Sequence, residues 1–78
     1  MYHVYTLERG RALPHSVHLD RRKAEQNYWL VSRSLDAALV REDGGRLSVL
    51  SASVPFLQAE PAFRRAVERA VGGNARFA

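Results

Sequence analysis

Residues 2–9 are rich in aromatic and β-branched side chains and show no recurrence at helical spacing, a composition that suits a half-buried strand. Gly10-Arg11 then fits a two-residue type II′ loop, which wants glycine first, and 12–19 returns antiparallel. With Val4 opposite Val17 and His3 opposite His18, one face of this hairpin carries Tyr2, Val4, Leu13, Val17 and Leu19, the expected core face. Pro14 has no N–H to give to a ladder, so the second strand belongs at an edge or is interrupted.

The period then changes from strand to helix. Asp20 is a good N-cap, and the preceding Leu19 can pack back as a staple. From there to about Ser34 or Leu35, Ala24, Tyr28, Val31 and Leu35 recur at offsets of four, three and four and form one apolar stripe. Two short strands follow, 37–42 and 46–51, around Asp43-Gly44-Gly45, the strongest hairpin signal in the chain. Val40, Leu47 and Val49 fall on one face of that hairpin. Residues 53–59, with Pro55, read as a connector or a single helical turn.

A second helix opens at Pro61, which suits a first helical position, and stops at Gly72-Gly73. Phe63, Ala66, Val67 and Ala70 form its expected buried stripe, with Arg64, Arg65, Glu68 and Arg69 facing out. The order β-β-α-β-β-α predicts the α+β class: a small two-layer domain, an antiparallel sheet of about four strands with two helices on one face. Residues 1–73 make this single domain and 74–78 a flexible C-terminal tail.

Trp29, the sole tryptophan, breaks the pattern of its helix. A rotation of roughly 100° per residue carries it well over 90° from the Ala24/Tyr28/Val31 stripe, onto a face shared with Arg22, Glu25, Gln26 and Arg33. An indole left in water forfeits roughly 1.5–3 kcal/mol of burial, so a ring in that setting is expected to have a partner. Arg33, four residues on, is placed to stack on the ring. Arg22, Gln26, Trp29 and Arg33 are therefore the candidate partner-binding residues.

Charge adds a second candidate. Twelve basic against eight acidic residues give a net charge of +4, and eleven of the twelve are arginine, the residue for forked recognition of carboxylate or phosphate. Arg21, Arg22 and Lys23 fill the first turn of the first helix, where cations oppose the helix dipole. With Arg64, Arg65 and Arg69 of the second helix they are the candidate anion-binding or nucleic-acid-binding residues. That use requires both helices to show their arginines on one side of the domain.

Catalysis is not expected. A 78-residue chain buries only about 60–65% of the surface its unfolded form exposes, which leaves little surplus stability for a deep, strained pocket. No nucleophile elbow, zinc-protease helix, Walker loop or dinucleotide fingerprint is present. Without cysteine there are no disulfides and no thiolate zinc site, and His3 beside His18 would supply only two imidazoles, so neither metal nor cofactor is expected. Met1-Tyr2-His3-Val4 lacks the basic and apolar regions of a signal peptide, and no segment approaches the length that spans a bilayer.

The resulting expectation is a cytoplasmic, non-enzymatic binding protein: an adaptor, regulatory subunit or stoichiometric inhibitor. It docks onto a larger protein or assembly through the aromatic and arginine face of the first helix. The alternative is a nucleic-acid-binding protein contacting phosphates from both helices, and edge strands leave room for a homodimer.

Overall fold

Gly44 and Gly45 have φ of 56° and 85°, the left-handed pair that a type I′ hairpin turn requires and that glycine adopts without a Cβ clash. They join two strands of a sheet in a computed structural model that describes residues 1–9, 11–53, 60–72 and 74–77. In chain order the elements are β1 Tyr2–Glu8, β2 Arg11–His18, α1 Arg21–Ser32, β3 Ala37–Asp43, β4 Arg46–Ala52, α2 Glu60–Val71 and β5 Arg76–Phe77. The strands lie in the order β2-β1-β3-β4-β5, antiparallel throughout except where β5 runs parallel to β4. The α+β class, the two helices and the antiparallel pairing are those the pattern predicts. Among the described residues, no helix is long and apolar enough to cross a membrane.

The layering differs from the expectation of two layers. Val4, Ala37 and Leu39 pack against Ala24 and Tyr28 of α1. Their alternate neighbours Tyr5, Ala38 and Val40, with Leu47, pack against Phe63, Ala66 and Val67 of α2. Successive side chains of a strand point to opposite faces, so the helices cover opposite sides of the sheet. The reason is in β3, where Ala37-Ala38-Leu39-Val40 is apolar at every position and is buried on both faces.

The first hairpin is shifted from its expected register. Glu8 pairs with Arg11, so Arg9, at φ 51°, enters the turn, and residue 10 lies outside those described. Val4 faces Ser16, and a bulge at His15 carries Tyr5 to Pro14. His3 pairs with Val17 and His18 with Tyr2, so the two histidines are not side by side. His3 instead meets Glu42 at 2.8 Å, and His18 meets the Ser16 hydroxyl at 2.9 Å. Because β2 is an outer strand whose proline and bulge interrupt the period of two, Leu13 and Val17 stay exposed with the following Leu19.

Helix ends are set locally. Asp20 caps α1, its carboxylate accepting the Arg22 N–H at 3.0 Å, and its carbonyl accepts the first helical N–H, from Ala24, at 3.1 Å. Asp20→Ala should cost about 1 kcal/mol of stability, read as a small shift in the denaturant midpoint; an unchanged midpoint would show the cap to be idle. The helix stops at Ser32 with Arg33 as its C-cap, so Leu35 leaves the helical period and is largely exposed instead of completing the stripe. Gly72, at φ 81°, ends α2 as expected; residue 73 lies outside the described residues, as does the connector from 54 to 59. Ala70 is exposed, not buried.

The expected loose tail is in fact tied down over 75–77. Ala75 is buried, the Arg76 N–H donates to the Gly45 carbonyl at 2.8 Å, and the Phe77 N–H donates to the Glu68 carboxylate at 3.0 Å. Alternation of Ala75 and Phe77 with exposed Arg76 lets a two-residue strand add apolar cover to the α2 side.

Tyr5 is 2% exposed, and its burial, with the Glu42 carboxylate adding repulsion, pushes its hydroxyl from the ordinary 10 up to about 12. Burial raises Tyr28 as well. A folded-state value above the unfolded one means stability that is complete below pH 10 and lost as pH rises toward 12, worth about 2–3 kcal/mol for Tyr5. Denaturation at successive pH values should show this alkaline decline, and Tyr5→Phe should flatten it; a wild-type profile level from pH 9 to 12 contradicts the assignment.

Candidate functional site

The inner side of α1 is fixed by Ala24 and Tyr28 against the sheet, with Val31 packed beside them. That contact determines what the opposite side presents. Arg22, Gln26, Trp29 and Arg33 follow one another at offsets of four, three and four, so they share one outward strip, and all four are exposed. Trp29 is 63% exposed. Its indole makes an edge-on contact with Tyr28, ring centroids 5.4 Å apart, which fixes one border of the ring while the rest faces solvent.

Leu30 is also 63% exposed and lies four residues beyond Gln26. It belongs to the same surface, and the expectation built around Trp29 omitted it. The angular signal was available: Leu30 falls off the Ala24/Tyr28/Val31 stripe as clearly as Trp29 does. Two adjacent large apolar side chains, flanked by Gln26 and Arg33, make this outer strip of α1 unlike the solvated face of an ordinary amphipathic helix.

Arg33 does not stack on the indole as expected. Among the described residues, the cation over a ring is Arg64, 5.6 Å from the centroid of Phe77. Arg64 is thereby half-buried against β5 and does not project freely from α2 as anticipated. Arg65 and Arg69 are exposed. In the first turn of α1, Arg21 pairs with Glu25 at 2.8 Å, while Arg22 and Lys23 point to solvent.

The six candidate anion-binding residues do not form one surface. Arg21, Arg22 and Lys23 lie with α1 on one side of the sheet, Arg64, Arg65 and Arg69 with α2 on the other. Among the described residues, no three histidine, aspartate or glutamate side chains are grouped to hold a metal ion.

Comparison with known family models, curated proteins and solved structures finds no match to this chain, and the functional reading rests on its own geometry.

Proposed function

We propose that this protein is a small non-enzymatic binding protein that acts in the cytoplasm by docking the outer strip of α1 onto a larger protein or assembly, as an adaptor, regulatory subunit or stoichiometric inhibitor. One observation carries the reading: Trp29 and Leu30 are adjacent and each 63% exposed, on a helix whose other side is already committed to the core. Tryptophan and arginine dominate binding energy at interfaces far beyond their share of the surface. Here Trp29 would be the anchor, Leu30 its apolar extension, and Arg22, Gln26 and Arg33 the polar rim that fixes orientation.

Self-association through a sheet edge is the less favoured reading. The exposed edge of β2 could pair with a second copy, but Pro14 and the bulge at His15 blunt that edge at its middle.

The test is co-purification from the native host with wild type and Trp29→Ala in parallel, with sedimentation of the isolated protein alongside. A partner held by wild type and lost from a folded variant supports docking through this strip. Equal recovery from both, or an obligate dimer that buries Trp29, removes it.

A further inference from the structure

The charges on the outer side of α1 restrict what can cover it. A rotation of roughly 100° per residue places Arg22, Lys23, Gln26, Trp29, Leu30 and Arg33 within an arc of about 120°, centred opposite the Ala24, Tyr28 and Val31 side that packs on the sheet. All six are exposed. Three of them are cations and none is an acid. Glu25, the acid nearest this arc, lies at its border, where its carboxylate is held by Arg21 at 2.8 Å. Asp20, just before the helix, turns its carboxylate to the Arg22 N–H. The positive end of the helix dipole adds to Arg22 and Lys23, so the outer side of the first turn is cationic in backbone and side chains alike.

Order along the axis adds a second constraint. At a rise of 1.5 Å per residue, Arg22 and Lys23 stand about 16 Å from Arg33, with Trp29 and Leu30 between them. A complementary surface must therefore be apolar in its middle and anionic at both ends. A protein pocket edged by aspartate and glutamate has that layout, since interfaces set an apolar centre within a polar rim. Its carboxylates also match the forked donors of arginine.

Two other anionic surfaces match this layout less well. A helix lying in a lipid surface sinks its apolar side and keeps its cations at the headgroups. Here Arg22, Gln26 and Arg33 form the crest of the helix, with Trp29 to one side and Leu30 to the other, so inserting the apolar pair would draw two guanidinium groups below the headgroups. A nucleic-acid backbone is charged along its whole length and gives Leu30 nothing to pack against. Resting on the docking reading of this strip, we infer that its occupant is an acidic face of a partner protein: an apolar pocket for Trp29 and Leu30, bracketed by carboxylates that face Arg22 and Lys23 at one end and Arg33 at the other, about 16 Å apart.

Lys23 supplies the experiment, because it is the sole lysine of the chain. A carbodiimide joins a carboxylate to an amine only where the two are in contact. Applied to the complex co-purified from the native host, it should join Lys23 to an aspartate or glutamate of the partner, located by mass spectrometry. Arg33→Lys should add a second link, to a different acid. Arg22→Gln/Arg33→Gln should slow association with the purified partner about tenfold at 50 mM salt and less than about twofold at 500 mM, where the charges are screened. Arg65→Gln/Arg69→Gln, which removes equal charge from α2, should change the rate at 50 mM by less than about threefold. If the α1 double variant is misfolded by circular dichroism, Arg22→Gln replaces it, with about threefold slowing expected. A partner that is lost from Trp29→Ala, yet gives no carboxylate link at one of the two ends, associates at a rate indifferent to salt or responds equally to the α1 and α2 charge variants, overturns the acidic face and leaves docking through Trp29 standing. Unaltered association of Arg22→Gln, when it is the operative variant, does the same. Recovery of no partner, or equal recovery by wild type and Trp29→Ala, removes the docking reading and the acidic face with it. Tighter binding of wild type to phosphatidylserine vesicles or to a 20-nucleotide single strand than to the purified partner would also overturn the acidic face.

Discussion

Leu39→Ala is expected to leave the domain on the edge of unfolding. Leu39 is 1% exposed, in the middle of β3, and closes the contact between the sheet and Ala24 and Tyr28 of α1. Truncating a buried leucine to alanine removes its transfer free energy and leaves a cavity, together about 2–5 kcal/mol. A 78-residue domain has about 4–12 kcal/mol in total, so the variant loses a large share of its stability. A loss of about 3 kcal/mol should lower the thermal midpoint by about 12–24 °C. Leu30→Ala, at the same helix but on its outer side, should stay within about 0.5 kcal/mol of wild type. Denaturant titration of both checks the pair, and equal losses would mean that Leu30 is structural.

Trp29→Ala should show the opposite division between stability and binding. Its indole touches Tyr28 at one edge and is otherwise in water, so removing it should shift the denaturation midpoint little. Once a partner has been captured and purified, the same change should cost about 2 kcal/mol or more of binding, a loss of about thirtyfold in affinity. Leu30→Ala should cost less, and Arg33→Ala should act mainly on the association rate and its salt dependence, as rim charges do. Calorimetric titration with the wild type and the three variants separates these effects. Affinity in Trp29→Ala within threefold of wild type would take the anchor role away from the indole.

How much of this was legible depended on whether the deciding interaction was local. The outward direction of Trp29 follows from helical angle alone, because Ala24 and Tyr28 commit the opposite side. Leu30 obeys the same angle and was equally accessible. The helix stop at Ser32 was not, since Arg33 in an ordinary right-handed conformation caps it without the glycine that usually signals an end. The first hairpin misled because Gly10 suggested a turn starting with glycine, whereas Arg9 adopts a positive φ that non-glycine residues uncommonly take.

The layering of the fold was written in β3 but in a pattern that alternation does not capture. Four consecutive apolar residues mean a strand covered on both faces, and that places the helices, with their arginines, on opposite sides. Arg64 was beyond reach for a different reason: its neighbour Phe77 arrives through a two-residue parallel strand, a long-range pairing with no local signature.

Because the chain has one tryptophan, its replacement by 5-fluorotryptophan yields a single fluorine resonance for the residue on which the docking account depends. In the free protein that resonance should show the full solvent-isotope shift between H2O and D2O, and addition of the captured partner should move it and abolish the isotope effect. A resonance already shielded from solvent in the free protein, or one left unchanged in the saturated complex, would contradict the assignment of Trp29 as the docking anchor.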